Sequence, residues 1–230
     1  MFILIVFLPG IAALIAGLFG RLLGDRPAQL ITSFAVTLSA ILSIVAFFQI
    51  TGTEEVERIQ VLHWISSGGL DFSWAILVDP LTAVMFVVVN GVSALVHWYS
   101  IGYMSHDPHK PRFFAYLSLF TFAMLMLVSA DNFVQLFFGW EGVGLASYLL
   151  IGFWFDKPAA NAAAIKAFLV NRIGDFGFAL GIMAIFLVFN SVDYATVFEK
   201  APDVAGTSFG FLGMELDTLT VITLLLFIGA

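Results

Sequence analysis

Apolar runs about twenty residues long, separated by short polar breaks, dominate the pattern along the chain. The runs cover residues 2–20, 28–50, 80–101, 113–128, 133–155 and 162–189. At ~1.5 Å rise per residue, about twenty apolar residues cross a hydrocarbon core of ~30 Å. Each run therefore predicts a transmembrane helix. The first has no basic residue before it and no convincing cleavage site, so it is expected to be a retained helix and not a signal peptide. Pro9-Gly10 inside it predicts a bend. A seventh run, residues 218–230, reaches only ~20 Å, which leads us to expect a chain cut off inside a helix. The fold class expected is all-α: a polytopic transmembrane helix bundle of six complete spans plus a truncated seventh, forming one domain over residues 1–230.

The breaks between the runs carry their own information. Residues 51–77 read as a long polar loop holding Glu54, Glu55, Glu57 and Asp71 against one base, Arg58. Its His63, Trp64 and Trp74 suit a membrane–water interface. Residues 190–217 read as a second acidic loop, with Asp193, Glu199, Asp203 and Glu215 against Lys200. Asp79-Pro80 has the chemistry of a helix cap and first turn, and Asp131-Asn132 reads likewise for the fifth helix. With the amino terminus outside, the inner loops hold Arg21, Arg26, Lys110, Arg112 and Lys157, and the outer loops Arg58 and Lys200. That distribution obeys the positive-inside rule.

Composition agrees with the pattern. The chain is 61% hydrophobic and 11% charged, where soluble domains run about 45–50% and about 25%. This is the composition of an integral membrane protein whose first partner is the lipid bilayer. The net charge of −7 comes from the acidic outer loops and calls for no basic partner. No basic run is present, so nucleic-acid binding has no support. The absence of cysteine excludes disulfides and thiolate iron–sulfur ligation on this chain. There is no Gly-rich dinucleotide fingerprint, no P-loop and no nucleophile–base pair.

Four charges interrupt the apolar runs: Glu141 in the fifth, and Lys166, Arg172 and Asp175 in the sixth. A charge at the bilayer centre costs roughly 2.5–3.5 kcal/mol on insertion scales, and such residues mark ion pathways and proton relays by default. Glu141 falls near the midplane among Gly139, Gly142, Gly144, Ala146 and Ser147. Those small residues let neighbouring helices approach closely and place the fifth helix inside the bundle. Arg172 and Asp175 are three apart on one helix face and can pair. Lys166, about a turn from the inner end, either snorkels to the interface or joins the relay. His97 is expected at the inner end of the third span, interfacial or helix-bonding. His106 and His109 share a basic loop that gives little reason to expect a metal.

The stretch Trp140-Glu141-Gly142-Val143-Gly144-Leu145-Ala146-Ser147-Tyr148-Leu149-Leu150-Ile151-Gly152-Phe153-Trp154 closely resembles the signature of chain 5, bacterial subunit L, of proton-pumping NADH:quinone oxidoreductase (respiratory complex I). Asp107-Pro108, Arg112-Phe113-Phe114-Ala115-Tyr116-Leu117 and Lys166-Ala167-Phe168-Leu169-Val170-Asn171-Arg172-Ile173-Gly174-Asp175 resemble the same family. The resemblance covers essentially the whole chain. The large subunit of the Mrp-type Na+/H+ antiporter belongs to the same superfamily and shares the Trp-Glu and Leu-Leu-Ile-Gly-Phe-Trp, but generally differs at Gly-Val-Gly.

The resemblance implies an antiporter-like fold and a role in proton translocation coupled to NADH-to-quinone electron transfer. It implies that Glu141 matches a glutamate that pairs with a lysine on a broken seventh helix, beyond Ala230. Arg172 and Asp175 match the charged pair of the sixth helix, and Lys166 matches less closely. No cofactor or metal is expected on this chain. NAD, FMN, iron–sulfur clusters and quinone belong to other subunits in the family. The partners implied are protons and the neighbouring antiporter-like membrane subunits. The membrane is expected to be the bacterial inner membrane, with the mitochondrial inner membrane as the alternative. Two other readings stand beside this one: a Na+/H+ antiporter subunit, and a scaffold whose charges only join helices.

Overall fold

The computed structural model describes residues 1–53, 56–67, 70–211 and 213–230. Its first two helices, α1 (Phe2–Leu23) and α2 (Asp25–Thr53), are joined at Gly24, where φ is +81°. That angle favours glycine and gives the tight reversal. A hairpin follows, β1 (Glu57–Ser67) and β2 (Leu70–Val78), then α3 (Pro80–Tyr103), α4 (Lys110–Val128), α5 (Phe133–Ile151) and α6 (Pro158–Phe189). The last stretch holds α7 (Tyr194–Val204), a short hairpin β3 (Ser208–Phe211) and β4 (Met214–Asp217), and α8 (Thr218–Gly229). Six helices, α1 to α6, are long and apolar enough to cross a membrane. The helix caps agree with the sequence signals: Asp79 accepts from the Thr82 N–H, and Asn132 from the Gln135 N–H.

Three differences from the sequence reading are physical in origin. Residues 51–77 are not a plain loop. Strands β1 and β2 pair antiparallel, with register shifts between Gln60 and Leu62 and between His63 and Ile65. The period-two alternation of Phe72, Trp74, Ile76 and Val78, beside Gly68-Gly69, is the hairpin signal that polar composition obscured. Glu54, Glu55, Gly68 and Gly69 lie outside the described residues. The second expected loop, 190–217, contains the amphipathic α7, which buries Val197 and leaves Phe198 exposed. Finally, α5 ends at Ile151, four residues before the apolar run does, with Gly152 as its C-cap.

The packing forms two neighbouring cores. Phe2, Ile5, Val6, Ala46, Ile50, Phe86, Leu125 and Met126 fill the space among α1 to α4, closed at one end by Ile76 and Val78 of β2. Phe133, Ile185, Phe189, Val197 and Ile222 form the second core, among α5, α6, α7 and α8. Glycines join the two. A Cβ at Gly139 would lie 2.6 Å from the Leu127 Cα, and one at Gly142 would lie 3.1 Å from the Ala123 Cβ, so α5 approaches α4 almost backbone to backbone. On α6, Gly174, Gly177 and Gly181 form a channel that receives α8 through Leu225, Leu226, Ile228 and Gly229. The glycine reading of α5 is thus correct for the face toward α4. Yet α5 is the least buried of the six spans, with 17% of its central stretch inside.

The hairpin end of the bundle is tied to the short turn between α4 and α5. Arg58 Nε donates to Asp131 Oδ2 at 2.7 Å, and Tyr194 N–H donates to the Asp131 carbonyl at 3.1 Å. Gln135 takes both backbone groups of Ala75, accepting from its N–H at 3.0 Å and donating to its carbonyl at 2.7 Å. Asn132 donates to the Ser73 carbonyl at 3.0 Å, and Phe133 N–H to the Val192 carbonyl at 3.0 Å. Asp131 therefore serves as the partner of Arg58, while Asn132 is the cap. The opposite end carries Arg21, Arg26, Lys110, Arg112 and Lys157.

Candidate functional site

Midway along α5 and α6 the structure brings three of the four membrane charges together. Arg172 ion-pairs with Glu141 across the helix interface and lies 3.3 Å from Asp175 Oδ2 on its own helix. The geometry follows from helix periodicity. Residues three apart on α6 share a face, and that face looks toward α5 at the level of Glu141. One guanidinium thus serves two carboxylates. The Asp175 side chain is 9% exposed, that of Glu141 24% and that of Arg172 41%. Asp175 Oδ1 is buried with no hydrogen-bond partner. The Arg172 guanidinium also lies over the Phe168 ring at 4.7 Å, a cation–π contact one turn away.

Lys166 is not part of this group. It stands exposed on α6 and makes no ion pair among the described residues. The cross-helix bond between Glu141 and Arg172 is the feature that sequence reasoning missed. It expected Arg172 to pair within its own helix and Glu141 to pair with a later lysine. No signal in the sequence fixes this pair, because depth in a membrane is legible there only to within a turn or so.

Aromatic and small residues frame the charges. Trp140 stacks on Phe178 with centroids 5.9 Å apart and planes within 5°, and Phe137 stacks on the same ring at 5.7 Å. A cavity of about 480 Å³ is lined by Trp140, Gly144, Ser147, Asn171, Gly174 and Gly229, among them sequence neighbours of all three charges, but by none of the three themselves. It is large enough for several waters, and its polar lining, Ser147 and Asn171, lies one to two turns from Glu141 along α5 and beside Arg172 on α6. The site is therefore a small ionic cluster beside a water-sized opening.

His97 is buried within the bundle and not at an interface. Its Nδ1 is 2.8 Å from the Ser93 carbonyl and its Nε2 is 2.9 Å from Ser118 Oγ of α4. Ser93 Oγ in turn meets Thr121 Oγ1. Asn90 of the same helix face donates to Ser43 Oγ of α2 at 2.9 Å. These contacts tie α3 to α2 and α4, in keeping with the helix-bonding reading of His97. They form a polar stripe separate from the Glu141 cluster. In the 104–109 loop, Asp107 accepts from Trp154 Nε1 at 2.9 Å and from the His109 N–H at 2.7 Å.

Comparison with known proteins agrees with this architecture. The family model described as NADH-ubiquinone oxidoreductase (complex I), chain 5 N-terminus, matches residues 64–114. The model described as NADH:quinone oxidoreductase/Mrp antiporter, TM, matches residues 130–230. NADH-ubiquinone oxidoreductase chain 5 of Arabidopsis thaliana is 54% identical over 230 residues, covering 100% of this chain and 34% of the relative. NADH-quinone oxidoreductase subunit L of Rhodobacter capsulatus is 55% identical over 234 residues, covering 99% and 33%. The chain thus spans about a third of the length of the curated relatives it matches. Among solved structures, the membrane-bound sulfane sulfur reductase (MBS), an archaeal respiratory membrane complex, superposes with a TM-score of 0.82 at 18% identity. That match covers 99% of this chain and 43% of the other. The Mrp complex from Dietzia sp. DQ12-45-1b gives a TM-score of 0.78 at 23% identity, covering 99% and 23%. These two establish the fold. Six apolar spans, a charged cluster inside them and identity above one half over this chain make it similar to the membrane subunits named chain 5, or subunit L, of NADH:quinone oxidoreductase, across about a third of their length.

Proposed function

We propose that this chain is the amino-terminal part of a proton-translocating membrane subunit of NADH:quinone oxidoreductase, and that Glu141, Arg172 and Asp175 hold and pass the proton. The observation that carries the reading is the sharing of Arg172 by two carboxylates inside membrane-spanning helices. With all three ionised, the cluster has one negative charge more than positive. One proton neutralises it, and in a low-dielectric setting that uptake is strongly coupled to any change in the ion pair. Asp175 Oδ1, buried and unpartnered, is the acceptor left open for that proton. When a competing cation approaches Glu141, Arg172 turns to Asp175, and the proton held there leaves. The resemblance supplies such a cation as a lysine beyond Ala230. Lys166, exposed and apart, has its place at the membrane surface in this scheme, where it gathers no proton from the cluster directly.

The redox chemistry, with NAD, FMN, iron–sulfur clusters and quinone, belongs to other subunits of the assembly, and neighbouring antiporter-like subunits are the partners. The membrane is the bacterial inner membrane, or its mitochondrial counterpart in relatives of organellar origin. A second reading, a Na+/H+ antiporter subunit, draws on the transmembrane family model that names both groups.

The test is Glu141→Gln in the full-length subunit, within its assembled complex in membrane vesicles. NADH oxidation and the proton gradient are followed side by side. The gradient is expected to collapse while the complex remains assembled. An unchanged gradient removes Glu141 from the pathway. Loss of sodium–proton exchange with NADH chemistry untouched favours the antiporter.

A further inference from the structure

The Arg112-Phe113-Phe114-Ala115-Tyr116 motif has no part in the charged cluster, and its first residue is an unusual arginine. Arg112 sits in the first turn of α4 at the basic end, partly buried, at the level where a membrane helix meets the headgroups. Its guanidinium is sandwiched between Phe153 at 4.6 Å and Phe155 at 5.1 Å. One nitrogen, Nη2, donates to the Phe153 carbonyl at 2.9 Å. Nε is buried with no hydrogen-bond partner. No carboxylate forms an ion pair with it among the described residues. Asp107 feels its field but accepts from Trp154 and the His109 N–H, and Asp25 is taken by Lys110 at 2.9 Å. A guanidinium with one donor buried and unpartnered and no anion beside it is only partly served. Its free edge calls for an oxyanion that takes two N–H bonds at once.

The space for one is present on both sides. A cavity of about 690 Å³ lies between α1 and α4, lined by Ala16, Gly17, Gly20 and Ala115 together with Arg21, His109 and Asp25, whose carboxylate is paired with Lys110. A second, of about 440 Å³, lies toward α5 and α6, with Asn161 and Tyr148 in its wall. Arg112, Tyr116 and Phe155 line both. Basic groups thus stand at the membrane surface, and small apolar walls run inward from them. A free inorganic anion would use only the first of these. An amphiphile with an anionic head and a hydrocarbon tail uses both, and basic pockets between membrane helices are known to take phosphate headgroups.

We propose that Arg112, with Tyr116 and the Phe153 and Phe155 rings, forms a binding site for the phosphate of an anionic phospholipid at the basic end of the bundle. The phosphate oxygens accept from the part of the guanidinium that faces the two cavities, and the tail lies along the small residues of α1. This inference is independent of the proton-transfer reading, because it involves none of Glu141, Arg172 or Asp175.

The experiment uses the full-length subunit in its complex, reconstituted in phosphatidylcholine vesicles doped with phosphatidylglycerol bearing a photoreactive acyl chain. Adducts are located by mass spectrometry. The site predicts labelling on the α1 segment around residues 16–20 and on residues 153–165. It predicts a roughly tenfold loss on Arg112→Gln, and partial retention on Arg112→Lys. Equal labelling by a photoreactive phosphatidylcholine, or labelling unchanged by Arg112→Gln, overturns the proposal by reducing the contact to bulk lipid. Protection by millimolar inorganic phosphate overturns it in favour of a soluble-anion site. Should Arg112→Gln fail to assemble, the comparison of the two photoreactive lipids on the unsubstituted complex decides the matter, and Tyr116→Phe supplies a second variant.

Discussion

Among the described residues, Arg172 is the one base in contact with two acids at the centre of the bundle, so its removal has a different effect from removal of either acid. Arg172→Ala leaves Glu141 and Asp175 without a counter-ion and is expected to destabilise the protein more than Glu141→Gln does. The double substitution should be less harmful than the sum of the two singles by about 1–2 kcal/mol, the coupling usual for directly paired groups. Thermal unfolding of the four forms in detergent measures this, and strict additivity excludes a shared pair. Asp107, outside the spans, gives a pH-dependent counterpart. Partial burial pulls its carboxyl upward, but hydrogen bonds from Trp154 and the His109 N–H, with His109 and Arg112 nearby, outweigh that and hold it below the usual carboxylate range. A depressed folded value means that the contact stabilises fully above the unfolded value of about 3.9 and is lost as pH falls through the folded one. Fluorescence of Trp154, with the other tryptophans replaced, should stay constant from neutrality down to about pH 4 and change only in more acid solution. At this scale the sequence singled out the residues that the structure brings into contact, Glu141, Arg172 and Asp175, because a charge in an apolar run is conspicuous. It was silent on pairing across helices, because depth in a membrane is known from sequence only to within a turn or so.

Glycine placement decides how the helices meet. A Cβ at Gly177 would fall 2.6 Å from Ile228 Cγ2 and 3.2 Å from the Leu225 carbonyl. Gly177→Val is therefore expected to displace α8 from α6 at a cost of about 1–3 kcal/mol, typical of overpacking. Thermal unfolding of the full-length subunit in detergent checks this, and an unchanged midpoint rejects the contact. The hairpin is a second element, and Gln135 supplies two of the bonds that dock it. Gln135→Leu strips both bonds from the Ala75 backbone and leaves two buried polar groups unpaired, each worth about 1–3 kcal/mol. Hydrogen exchange at the Ala75 amide should accelerate accordingly. Helices were legible because apolar runs of this length have one reading. The hairpin and α7 were not, because short amphipathic elements lying at a membrane surface look polar in composition and show their periodicity only over a few residues.

Across the whole molecule the lengths of the helices fix what lies in the bilayer. The 32 residues of α6 extend ~48 Å, and even a tilt of about 40° accommodates only ~39 Å within the hydrocarbon. The surplus must stand in water or among headgroups. Arg172 and Asp175 remain central, while Lys166, ~12 Å from the start of α6, falls near the surface. A membrane-impermeant maleimide should therefore modify Ala159→Cys from the basic face and leave Phe176→Cys untouched. Modification of Phe176→Cys would place the cluster outside the membrane and remove the basis for proton transfer. The number and order of spans followed from the apolar pattern alone. The split into two cores did not, because it depends on which faces meet and not on how apolar they are.

The four-residue turn before α5 is bonded on one side to the long hairpin and on the other to α7. At its far end, α5 is followed by a turn fastened by side-chain bonds, Arg112 to the Phe153 carbonyl, Trp154 to Asp107 and Asn161 to the Phe155 carbonyl. In mechanical terms α5 is a beam clamped at one end and lightly latched at the other, with Glu141 at mid-length. A force arriving through the latch rotates the beam about the clamp, and a displacement of the free end by two ångströms moves Glu141 by about half as much. In the proposed pathway, a shift of that size at Glu141 would lengthen its bond to Arg172 and leave the guanidinium to Asp175, which it already contacts.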